Sequence, residues 1–92
     1  MTGSEINSTG KVTLLFFGQL KERLNCDSLV YTLTEPATIE AIKLDLASQQ
    51  PNWQPWLCER ELLAALNQTM VGNDTVVNSG DELALFPPVT GG

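Results

Sequence analysis

Glu82-Leu83-Ala84-Leu85-Phe86-Pro87-Pro88 decides how this chain folds. Five almost continuously apolar residues run into two prolines. Neither proline donates a backbone hydrogen bond and both hold φ near −65°, so a strand ends where they begin. A counterpart lies near the start, in Lys11-Val12-Thr13-Leu14-Leu15-Phe16-Phe17. Such loading is expected of strands buried on both faces. The first and last strands are the two most apolar, and burial is best served by placing them side by side, parallel, in the centre of one sheet.

The residues between them supply the rest. Gly18 breaks the first strand, and Gln19 to Leu24 suits a turn or two of helix with Leu20 and Leu24 stacked at i,i+4. Leu29-Val30-Tyr31-Thr32-Leu33-Thr34 alternates, as a half-buried strand pairing antiparallel with the first does. Pro36 ends extended structure, and Thr38 is set to cap a helix running to about Gln50. Ile39, Ile42 and Leu46 form its apolar stripe, Leu44 lies off it, and Pro51 stops it. Trp53 and Trp56, in a proline-bearing connection, read as lids on the core. Leu62 to Leu66 reads as strand by context, Asn67-Gln68-Thr69 as a turn, Thr75 to Val77 as a short strand and Asn78 to Asp81 as a turn. The order β-β-α-β-(β)-β predicts an α+β fold of the ubiquitin-like β-grasp type. It has a mixed sheet, its first and last strands parallel and central, and one main helix packed on one face. The expected organisation is a disordered polar leader over 1–10, a β-grasp domain over 11–86 and an extended tail over 87–92.

Ninety-two residues with 42% hydrophobic content suit one small core. No apolar run reaches the length of a membrane helix, and the polar start lacks a secretory signal pattern, so a cytoplasmic protein is expected. The net charge of −6 argues against nucleic acid as a partner. After Arg60 there is no Lys or Arg, while Glu61, Asp74, Asp81 and Glu82 remain. That distribution reads either as a solvated acidic face or as complementarity to a basic partner. Histidine is absent, which removes the commonest general base and metal ligand. Cys26 and Cys58 have no zinc or redox spacing, and reduced thiols are expected. No metal and no bound cofactor are expected, and no self-contained catalytic set is apparent.

What remains is the end of the chain. Val89-Thr90-Gly91-Gly92 follows the prolines. From Pro87 the tail can span up to ~20 Å and finishes in a carboxylate whose ordinary pKa is ~3.5. A chance Gly-Gly ending, or a frayed terminus without a role, is the bland alternative. The absence of catalytic equipment in the body favours a carrier or substrate that presents Gly92 to another protein.

Three blocks carry a resemblance: Phe16-Phe17-Gly18-Gln19-Leu20-Lys21-Glu22, Leu62-Leu63-Ala64-Ala65-Leu66-Asn67-Gln68, and Gly80 through Phe86-Pro87-Pro88-Val89-Thr90-Gly91-Gly92. From about Lys11 to Gly92 the chain resembles the small subunits of molybdopterin synthase, a family of β-grasp sulfur carriers. Lys21 stands where arginine is frequent in that family, and Leu85 where a second aromatic is frequent. The resemblance implies that an E1-like enzyme adenylates the Gly92 carboxylate with ATP. Sulfur then converts it to a thiocarboxylate (1-thioglycine), which donates that sulfur to cyclic pyranopterin monophosphate in molybdenum cofactor biosynthesis. It also implies a 2+2 heterotetramer with a large subunit that holds the catalytic residues. Gly91, Thr90, Val89, Pro88 and Pro87 would thread into the partner, with Phe86 and Asp81 docking beside them. Alternatives are a carrier of the thiamine-thiazole type, a ubiquitin-like modifier joined to lysines through Gly92, or a plain interaction domain.

Overall fold

The computed structural model describes residues 10–88. The expected leader and the residues from Val89 to Gly92 lie outside that range, although the first strand already includes Gly10. The elements are β1 (Gly10–Phe16), α1 (Gly18–Leu24), β2 (Ser28–Leu33), β3 (Ala37–Thr38), α2 (Ile39–Gln49), a 3-10 turn (Pro51–Trp53), α3 (Gln54–Leu57), β4 (Leu63–Leu66), β5 (Thr69–Val71), β6 (Val76–Val77) and β7 (Glu82–Phe86).

Five strands form one sheet in the order β2-β1-β7-β4-β5, and β3 pairs with β6 separately. As expected, β1 and β7 are adjacent, central and parallel, with Leu14 opposite Leu83 and Phe16 opposite Leu85. The hairpin of β1 and β2 forms one side, Gly10 facing Leu33. Antiparallel β4 flanks β7 on the other, with Leu63 opposite Phe86.

One expectation needs correcting. β1 is not buried on both faces: Val12, Leu14 and Phe16 are buried, Lys11 and Thr13 are exposed, and Leu15 is half-buried. The helices lie on one side of the sheet, so the strand alternates as one-sided sheets do. β7 comes closer to the expectation, with Leu83 and Leu85 fully in the core and Ala84 buried on the opposite face.

α2 begins where Thr38 Oγ1 accepts the Ala41 N–H at 3.1 Å, an N-cap worth about 1 kcal/mol. Ile39, Ile42 and Leu46 face the sheet and Leu44 faces solvent. The helix stops at Gln50, whose extended backbone the following proline favours. Trp53 closes the core edge-on against Phe16, ring centroids 5.8 Å apart. The connection expected after α2 is itself helical, and the turn after β4 leads into a strand. Leu66 pairs with Thr69, and the two residues between, Asn67 and Gln68, have φ of 51° and 71°. Two positive φ values in a two-residue loop match the twist of a tight hairpin.

Candidate functional site at the exit of the last strand

β7 leaves the sheet beside the corner between β1 and α1. Phe17 N–H donates to Leu85 O at 3.1 Å, fixing that corner against the end of β7. Gly18 turns the chain with φ of +63°, a conformation side chains disfavour. A Cβ built on it would lie 3.6 Å from Pro87 Cδ, so the corner and the first proline are in close apposition. Pro87 and Pro88 therefore follow directly on a central strand whose neighbours on both sides are hydrogen-bonded to it.

Two surfaces flank the exit. On one side Phe17, Gly18, Phe86, Pro87 and Pro88 form an almost wholly apolar, open surface. Phe17 is 49% exposed and lies beside the half-buried Phe86 and the two prolines, so its ring is part of a contiguous apolar surface. Phe86 is half-buried, so it both anchors the strand end and contributes to this surface. On the other side a groove of about 400 Å³ runs between α1 and the start of β4, with Pro87 and Pro88 as its near wall. Trp56 lies in it, with the Arg23 guanidinium 4.9 Å and the Arg60 guanidinium 4.3 Å from its ring centroid.

The structure thus brings Phe86, Pro87 and Pro88 together and adds Phe17, which the sequence reading had assigned only to a strand. It separates Asp81 from them. Asp81 precedes β7 and Phe86 ends it, and five residues of strand span roughly 17 Å. Both Asp81 carboxylate oxygens are engaged locally. Oδ1 accepts from Asn67 Nδ2 at 3.1 Å, and Oδ2 accepts from Asn78 N–H at 2.8 Å. Asn67 Oδ1 in turn accepts the Glu82 N–H at 3.0 Å. The geometry makes Asp81 a turn residue and places it away from the tail exit. Val89, Thr90, Gly91 and Gly92 lie outside the described residues.

The body offers little other chemistry. Among the described residues no three His, Cys, Asp or Glu side chains gather as metal ligands, and no helix is long and apolar enough to cross a membrane. Cys26 and Cys58 are free thiols. Tyr31 is the group with a clear shift. Burial, and then the hydrogen bond it donates to Asp45 and that carboxylate's charge, push its phenol up to about 12. This pair ties β2 to α2, remote from the exit in the sheet order.

A β-grasp body with a tail leaving its central strand defines a class of small carrier and modifier proteins. The ThiS family pattern matches residues 14–92, and the chain belongs to that family. Within it the chain is 42% identical to the molybdopterin synthase sulfur carrier subunit of Escherichia coli (strain K12), over 88% of this chain and 99% of the relative. Among solved structures it is similar to SAMP1, small archaeal modifier protein 1, from Haloferax volcanii. The TM-score is 0.74 at 25% identity, covering 90% of this chain and 100% of that one. Subunits 1 and 2 of the molybdopterin-converting factor of Helicobacter pylori 26695 were solved as a complex. A chain of that complex shares the fold at a TM-score of 0.61 and 23% identity, covering 89% of this chain and 99% of its own.

Proposed function

We propose that this chain is the sulfur carrier of a molybdopterin synthase and that Gly92 is the residue that carries the sulfur. The observation behind this reading is the family match, which covers residues 14–92, together with 42% identity to a curated sulfur carrier subunit along nearly its whole length. A carboxylate does not react with sulfur nucleophiles, so the acid must first be activated. In the proposed cycle the Gly92 carboxylate attacks the α-phosphorus of ATP on an E1-like enzyme, pyrophosphate leaves, and an acyl-adenylate forms. Sulfide supplied by a sulfur donor adds at the carbonyl and AMP departs, leaving the thiocarboxylate. The large subunit then takes the tail and catalyses transfer of its sulfur to cyclic pyranopterin monophosphate.

Each feature of the exit has a part in this scheme. The rigid β1–β7 pair fixes where the tail starts. Pro87 and Pro88 limit the freedom lost when the tail inserts. Glycines at 91 and 92 present no side chains to a narrow channel. Val89 and Thr90 span the distance between, and the Phe17–Phe86 surface is the apolar contact beside it. The chain binds no cofactor of its own, ATP belongs to the activating enzyme, and the catalytic residues belong to the large subunit. The assembly is a 2+2 heterotetramer in the cytoplasm, where ATP and reducing conditions coexist. Deleting Gly92, or adding one residue after it, should abolish sulfur transfer and leave the fold unchanged. Retained molybdopterin formation by the deleted chain would refute the assignment.

The fold shared with a small archaeal modifier protein favours a second reading, in which the same activated carboxylate is joined to lysines. Conjugates on several target proteins would distinguish it, because a dedicated sulfur carrier forms none.

A further inference from the structure

We propose that the Arg23–Trp56–Arg60 groove receives a carboxylate side chain from the protein that takes up the tail; this rests on the carrier reading above. The chain has 11 acidic and five basic residues, yet two of those five stack on one indole at the exit. Arg23 comes from α1, Trp56 from α3 and Arg60 from the segment after it, so the fold assembles the cluster from separate elements. Stacking engages the faces of the guanidinium groups. A guanidinium placed over a ring face keeps its N–H donors along its edges, in the fork that suits a carboxylate, and Arg23 and Arg60 are both exposed.

The groove also has an apolar lining. Leu20 and Leu62 are buried beside it, and Pro87 and Pro88 form its near wall. Such walls lower the local dielectric and strengthen a charge pair made beside them. Glu61 lines the same groove, so its formal charge is one unit positive, against −6 for the whole chain. A protein that takes the tail along this side of the exit meets this wall, because Pro87 and Pro88 line the groove and lead into the tail. The carrier therefore presents an acidic body with a local positive patch at its exit. That polarity sets the orientation of docking and not only its rate.

The test compares the full chain with the Arg23→Gln/Arg60→Gln and Arg23→Lys/Arg60→Lys double variants. Association with the recombinant large subunit is measured over a range of salt concentrations. Roughly tenfold weaker binding of the Gln variant at low salt, with a flatter salt dependence, is expected for loss of charge pairs at an interface. The Lys variant should recover most of the salt dependence. Wild-type affinity and salt dependence in the Gln variant would overturn the proposal. So would self-association of the isolated chain that the Gln substitutions abolish, since the groove would then hold a second copy. If the wild-type chain binds no large subunit, the carrier reading falls as well, which separates the two failures.

Discussion

Replacing Asp81 with alanine should cost stability and leave partner binding intact. The carboxylate accepts two hydrogen bonds, from Asn67 Nδ2 and from the Asn78 backbone N–H, at 3.1 and 2.8 Å. Each such bond is worth about 0.5–1.5 kcal/mol net, and solvent at this partly exposed turn keeps them from the upper end, so the loss should be roughly 2 kcal/mol. Asn67 sits in a left-handed conformation at the β4–β5 turn and bonds Glu82 through both its backbone N–H and its side chain. The substitution therefore loosens the start of β7 as well as its own turn. For a domain of this size 2 kcal/mol corresponds to a fall in Tm of about 10 °C. Scanning calorimetry would measure the Tm, and titration calorimetry with the large subunit, below the lowered Tm, would measure binding. An unchanged Tm would refute the turn assignment. Weakened binding at an unchanged Tm would return Asp81 to the interface.

Three further outcomes follow from the same geometry. Leu83 is fully buried in the central strand, so Leu83→Ala should lose about 3 kcal/mol in urea denaturation, within the range for large-to-small core changes. The phenol of Tyr31 is raised from 10 to about 12, so folding favours its protonated form. That contribution is complete below pH 10 and disappears between pH 10 and 12. Asp45→Asn should bring the titration part of the way back, leaving the effect of burial, and phenolate absorbance reports it cleanly because Tyr31 is the sole tyrosine. Phe17→Ser should weaken large-subunit binding by roughly tenfold, as for loss of an aromatic anchor, with little change in Tm because its ring is half exposed.

Much of the fold could be read from the chain because its strongest signals agree. The two apolar strands, the prolines after β7 and the Thr38 cap each have a local physical cause. Leu44, off the helical stripe, is exposed as its position requires. The β5 strand escaped notice because Thr69 and Met70 face solvent, leaving no alternating pattern. Its turn uses Gln68 at a positive φ, where Asn-Gly would have announced a hairpin. β1 was over-read because apolar Leu15 and Phe17 filled in an alternation that burial restores. The candidate site was legible only as a tail. Phe17 looked like the end of a strand, and Arg23 lies far from Trp56 in sequence, so nothing local foretold their stack. The spacing of Trp56 and Arg60, four residues apart, was the one available hint. Asp81 reads from sequence as a turn residue, as part of an acidic face and as a docking residue, and its two local hydrogen bonds favour the first of these.

The central claim concerns one atom at the end of the chain. The full-length protein, incubated with its E1-like enzyme, ATP and a sulfur donor, can be weighed intact and fragmented at its C-terminus. A gain of about 16 Da confined to Gly92, from oxygen exchanged for sulfur, and lost again on adding the large subunit with cyclic pyranopterin monophosphate, is the predicted result. An unchanged mass under conditions where the enzyme demonstrably forms the adenylate would contradict the account.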